Sequence, residues 1–300
     1  MKRAVSVSLG SSTRDKKVVV DFNGEMVSME RIGTDGDAEE AKRLFSKLDG
    51  KVDALAVGGA DLYYRMGGRE YPARAVLKLI EDVHHTPVVD GRGLKHNTLE
   101  RRVFELAKPI LGETPHFHRA FVPVALDRLG MARAVEEVTD EVVYGDLMVA
   151  LGIPIVIHGI NQYCKVARIL LPIVSYFPLS MIYYGSDGKE PEPKYHRYWE
   201  ESDLLAGDFM FMRKYMPLDM SGKTIITNTT TDENIELLRE RGVHVVITTT
   251  PRYEGRSFGT NTMEAALTAY AGKGRPLSDA ELNALIDELD IRPSVHRLKE

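Results

Sequence analysis

Only one cysteine, Cys164, stands among the 300 residues, so no internal disulfide and no cysteine-based zinc site can form within the chain. A reducing, cytoplasmic setting is the expectation. Long apolar runs are missing as well. The most apolar window, residues 166–185, is interrupted by Arg168, Pro172 and Pro178, which argues against a membrane span and for a buried helix feeding a buried strand. "MKRAVSVSLG" lacks the apolar stretch and small-residue cleavage site of a signal peptide. No block of one charge occurs. With 39 Lys and Arg against 44 Asp and Glu, a net charge of -5 leaves no electrostatic footprint for nucleic acid. The expected partner is therefore a small-molecule substrate, with no nucleic acid and no membrane; a homodimer is left open. His116 and His118 would share a strand face, but no third ligand accompanies them in sequence, so no metal is expected.

What is present is a long alternation of strand and helix patterns, with 43% hydrophobic residues available for a core. "AVSVSLG" and "KKVVVDF" read as a hairpin. A helix follows over "GDAEEAKRLFSKLDG", capped at Asp37, and then come a strand "VDALAVGG", a helix "ARAVLKLIEDVHH" and a strand "TPVVDG". From Leu151 the alternation restarts. It gives a strand 153–157, a helix 160–175, a strand 179–184, a short strand near "DLLAGD", and a βαβ unit from "KTIITN" to "VHVVITT" in which Thr230 and Glu233 have capping-box spacing. The expected fold is two α/β domains, residues 1–140 holding substrate and 141–275 a Rossmann-like doubly wound sheet, with a C-terminal helix and tail over 276–300.

Three groups of residues could carry chemistry. In "DGRGLKHNTLERR", Lys95 is the candidate catalytic residue. A lysine desolvated beside Asp90 or Asp61 could move a proton to or from a carbinol oxygen, and Asn97 stands at the same helix start as a substrate contact. "IVIHGINQYCKV" has the order strand, glycine, helix, which offers His158, Gly159 and Asn161 to a dinucleotide, joined by Asn228, Thr229 and Thr230 from the next βαβ unit. Asp187 lies where a ribose hydroxyl would be read, and Tyr195, Tyr198 and Trp199 could cover an adenine or anchor the loop. "TPRYEGRSFGTNTMEAAL" supplies Arg252, Arg256 and Ser257 before a helix opened by Asn261 and Glu264, an arrangement able to take an anionic substrate group. Ser11, Ser12 and Arg14 in "LGSSTRD" are further substrate-binding candidates.

The segments "DLLAGDF", "IITNTTT", "ELLRERGVHVV" and "GTNTMEAAL" resemble, in order and place, the C-terminal half of the shikimate and quinate dehydrogenase family. Over most of its length the chain is similar to bacterial proteins labelled quinate 5-dehydrogenase. That resemblance implies an oxidoreductase that uses NAD or NADP on a hydroxyl or keto group of a small polar, quinate- or shikimate-like metabolite. Two features depart from the family pattern. The turn "HGINQYCKVA" holds one glycine where the family has a glycine-rich loop, and Glu264 stands at the family's substrate-contacting glutamine. The competing expectation is a nucleotide-free binding or regulatory protein that holds an anionic metabolite in an interdomain cleft.

Overall fold

The computed structural model describes residues 1–182 and 192–299, and among these the α/β expectation holds. Two compact units are present, divided otherwise than expected. The first comprises residues 1–94, 167–182 and 259–290; the second comprises 95–166, 192–258 and 291–299. The boundary expected near 140 falls instead after Leu94, because the strand Phe117–Val122 enters the middle of the second unit's sheet. The helix Thr260–Ala271, expected in the Rossmann-like domain, belongs to the first unit. No described helix is long and apolar enough to cross a membrane.

The first unit is built on five strands in the order Lys16–Phe22, Glu25–Gly33, Lys2–Ser8, Ala54–Gly58, Val88–Val89. The expected hairpin of the first two segments does not form. Lys16–Phe22 pairs with Glu25–Gly33, which then runs parallel to Lys2–Ser8. The cause is Asn23-Gly24, whose φ values of 50° and 90° give the two-residue turn that suits the twist of paired strands. Register between Lys2–Ser8 and Ala54–Gly58 puts Ala4, Ser6 and Ser8 opposite Ala54, Ala56 and Gly58. The helix Thr260–Ala271 lies against these strands, and the Asn261 amide donates to Ser6 Oγ at 2.7 Å, so the row of small side chains is what lets the helix approach.

Seven strands form the second unit's sheet, in the order Ile157–His158, Thr139–Tyr144, Phe117–Val122, Leu204–Gly207, Thr224–Thr227, Val245–Thr248, Ser294–Arg297. The five inner strands are parallel and the two edges antiparallel. Alternate residues Phe121, Val143, Leu205, Ile225 and Val246 point into one core with Phe209, Met212, Ile235 and Leu238. Trp199 and Tyr198 pack on Phe121, at ring-centroid distances of 5.2 and 5.6 Å, and Tyr195 packs on Tyr215 and donates to the Met148 carbonyl, so all three aromatics are anchors. The capping box sits one residue later than expected, at Thr231 with Asn234.

Two strand expectations fail. Of the expected strand 153–157 only Ile157 is one, paired on as Ile157–His158, since Pro154 lacks an amide donor and the segment lies at a sheet edge. Leu179–Ile182 is a helical turn that follows Pro178, and 183–184 lie outside the described residues.

Candidate functional site

In an open parallel sheet, ligands favour the crevice where the strand order reverses, beyond the carboxyl ends. Here the chain starts at Phe117–Val122, steps to Thr139–Tyr144 on one side, then crosses to Leu204–Gly207 on the other, so the reversal lies between Phe117–Val122 and Leu204–Gly207. The residues that leave those two strands are Asp127-Arg128 and Asp208.

They meet in a buried ionic network. Arg128 enters the helix Leu129–Glu136, and its guanidinium holds Glu100 through Nη1 and Asp208 through Nη2 at 3.0 Å, with Asp127 at 3.6 Å from Nε. Asp208 also caps the helix Phe209–Tyr215 and accepts from the Asn228 side-chain amide at 2.8 Å. Glu100 is fully buried, and burial pushes its carboxyl up to about 7 against the pull of Arg128 and Lys95. Nearby, Asp146 accepts from the Ala125 and Leu126 amides at 3.0 Å and from the Tyr163 hydroxyl at 2.9 Å. Burial pushes it up to about 7 as well. The charge on Asp127 disfavours ionisation of both.

Of the expected residues, Lys95 and Asn228 belong to this group; the Lys95 ammonium is buried close enough to Glu100 to stabilise its charge. Asn97 is half-buried on the same stretch. Asp90 and Asp61 belong to the first unit, where Asp90 accepts from the Leu62 and Arg92 amides and Asp61 is buried. Glu264, expected to face substrate, accepts from the Gly93 and Leu94 amides at 2.9 and 3.4 Å. Burial, with Asp90 close by, lifts its pKa to about 8.

Ser11, Ser12 and Arg14 form a short helical turn. Ser11 caps Thr13, Asp35 takes the Ser12 amide at 2.8 Å, and Arg31 holds Ser11's carbonyl. Arg252 is turned inward to Asp232 and the Gly255 carbonyl, in a small hairpin with Arg256–Ser257 rather than in an open helix-start loop. Ser257 ties to Thr230, and Thr230 to Thr248. Thr229 is half-buried, and Asp187 lies outside the described residues. Glu100, Asp127, Arg128, Asp146 and Asp208 were not singled out by sequence. The available signal was an Asp directly after a buried strand, as in "LLAGD".

A dinucleotide does not fit the turn around Gly159. Ile157–His158 is an antiparallel edge strand, the Ile160 amide is taken by Glu136 at 2.7 Å, and His158 faces Glu141 at 3.1 Å. A carboxylate already occupies the first helix amide that a pyrophosphate would need. The turn after Phe117–Val122 fits no better, since Asp146 holds its amides. Among the described residues, no three His, Cys, Asp or Glu side chains are arranged to hold a metal ion; His116 and His118 share Asp140.

Residues 93–298 match the model of a family described as "Domain of unknown function (DUF8754)". The chain belongs to that family. Residues 3–90 match a second, DUF8753, and the junction of the two matches falls close to the division between the compact units. No curated protein matches the chain. Solved structures similar to it include an ABC transporter solute-binding protein from Burkholderia multivorans, at 11% identity, TM-score 0.40, covering 98% of each chain. A glucose-galactose binding protein from Geobacillus stearothermophilus is similar at 11% identity and TM-score 0.40, over 100% of this chain and 98% of that one. An NAD-dependent malic enzyme from Thermotoga maritima is similar at 11% and 0.40, over 95% and 75%.

Proposed function

We propose that the protein binds a small polar metabolite at the carboxyl ends of the second unit's parallel strands. One observation carries this reading: Asp127, Arg128, Asp208 and Asn228 converge at the strand-order reversal over the fully buried Glu100. Such a set orients polar groups, and Lys95 beside Glu100 supplies a buried pair able to hold or release a proton near neutral pH.

A second reading adds chemistry. "DLLAGDF" and "IITNTTT", two segments that carry the resemblance to the shikimate and quinate dehydrogenase family, contain Asp208 and Asn228 themselves. They favour an oxidoreductase acting on a hydroxyl or keto group of a quinate- or shikimate-like metabolite with NAD or NADP. In it Lys95 exchanges the proton of the carbinol oxygen. Calorimetric titration with NAD and NADP in both redox states separates the two. Heat of binding by one of them supports the oxidoreductase. Silence at millimolar concentration, which the occupied Ile160 amide leads us to expect, leaves a nucleotide-free binding protein.

A further inference from the structure

Acidic side chains at a strand end are commonplace, and what sets this group apart is an acceptor left over. Among the described residues, Glu100 Oε2 and Asp127 Oδ1 are buried oxygens with no hydrogen-bond partner. Glu100's other oxygen is spent on Arg128. An unsatisfied buried carboxylate oxygen costs free energy, and this site keeps two of them around one guanidinium. Exposure is graded across the group: Glu100 0%, Arg128 4%, Asp208 21% and Asp127 30%. The two outer carboxylates are therefore within an incoming molecule's reach, while Arg128, the cation that could attract an anion, is covered and already shared among three acids.

From this arrangement we infer that the site recognises a ligand by hydrogen-bond donors, a pair of neighbouring hydroxyls given to Asp127 and Asp208, and that it rejects phosphate. The inference rests on the metabolite-binding reading above and names its ligand class: a polyhydroxylated compound that turns hydroxyls, and no phosphate, towards this sheet. Asp127 and Asp208 both border the Arg128 guanidinium, at its Nε and Nη2, so one small ligand can offer a hydroxyl to each. A phosphate placed there would face Asp127 and Asp208 with its own charge.

The test uses the full chain and three probes: cis-1,2-cyclohexanediol, myo-inositol and inorganic phosphate, followed by amide chemical shifts of residues 124–128 and 207–210. Both hydroxylated probes are expected to move these amides saturably, and phosphate is not. Asp127→Asn and Asp208→Asn keep size and, for Asp208, the helix cap. Each is expected to weaken myo-inositol at least tenfold, as the loss of a charge-assisted bond requires. Phosphate moving these amides, the hydroxylated probes leaving them unmoved, or unchanged affinity in both folded variants overturns the inference. Another metabolite that shifts the same amides without needing Asp127 or Asp208 would spare the binding reading and sink only the donor-based one.

Discussion

Arg128→Met should lower the stability of the second unit by about 3–5 kcal/mol, the usual cost of removing one partner of a buried ion pair. Its guanidinium is hydrogen-bonded to Glu100, which has no exposed surface, and it bridges Glu100 to Asp208. Methionine fills much of the volume but leaves two carboxyls facing each other. Relief by backbone movement is blocked, because a Cβ placed on Gly130 would already lie 2.1 Å from the Lys95 carbonyl oxygen, so the start of this helix is pressed against that segment. Glu100 can lower the cost by taking up a proton, which makes the loss smaller at pH 6 than at pH 8. Urea unfolding of Arg128→Met and of the double variant with Glu100→Gln measures this. The double variant should recover part of the loss. A single variant within 1 kcal/mol of the parent would mean that the network contributes little.

Much of the local structure was legible. Asp37 marks a helix start in sequence and does so in the fold, and the apolar runs at 54–58, 224–227 and 245–248 are buried parallel strands. The site was less legible, for a physical reason. A glycine between a strand and a helix says nothing about where that strand sits in its sheet, and Ile157–His158 sits at an antiparallel edge. Arg128 and Asp208 stand 80 residues apart, and each reads alone as an ordinary helix-start residue. Only the strand order brings them together. Arg252 shows the converse: its neighbours in sequence suggest an anion loop, whereas Asp232, twenty residues earlier, neutralises it. Glu264 was placed in the first unit by the small-residue row of the strand face, a packing feature that has no motif.

Stability is expected to fall as pH rises from about 5 to about 8, because three carboxyls are pushed up by burial: Glu100 and Asp146 to about 7 and Glu264 to about 8. In the unfolded chain each ionises near its ordinary value of about 4. Between that value and the folded one, the native state therefore holds more protons than the unfolded state, and the slope of stability against pH is negative. Each fully titrating group contributes at most about 1.4 kcal/mol per pH unit. Groups of the opposite kind act elsewhere. Asp49, whose carboxylate accepts from the amides of His84, His85 and Thr86, is held down at about 2, so its contribution is lost only as pH falls below about 4. Maximum stability should accordingly lie near pH 4. Glu264→Gln keeps an acceptor for the Gly93 and Leu94 amides but cannot ionise, so it should flatten the decline in the first unit and leave stability at pH 5 nearly unchanged. Glu100→Gln should do the same in the second. Urea midpoints at pH 5, 6.5 and 8 decide the matter, and a parent profile that is flat or rising over that range would show that these carboxyls are ionised in the folded protein.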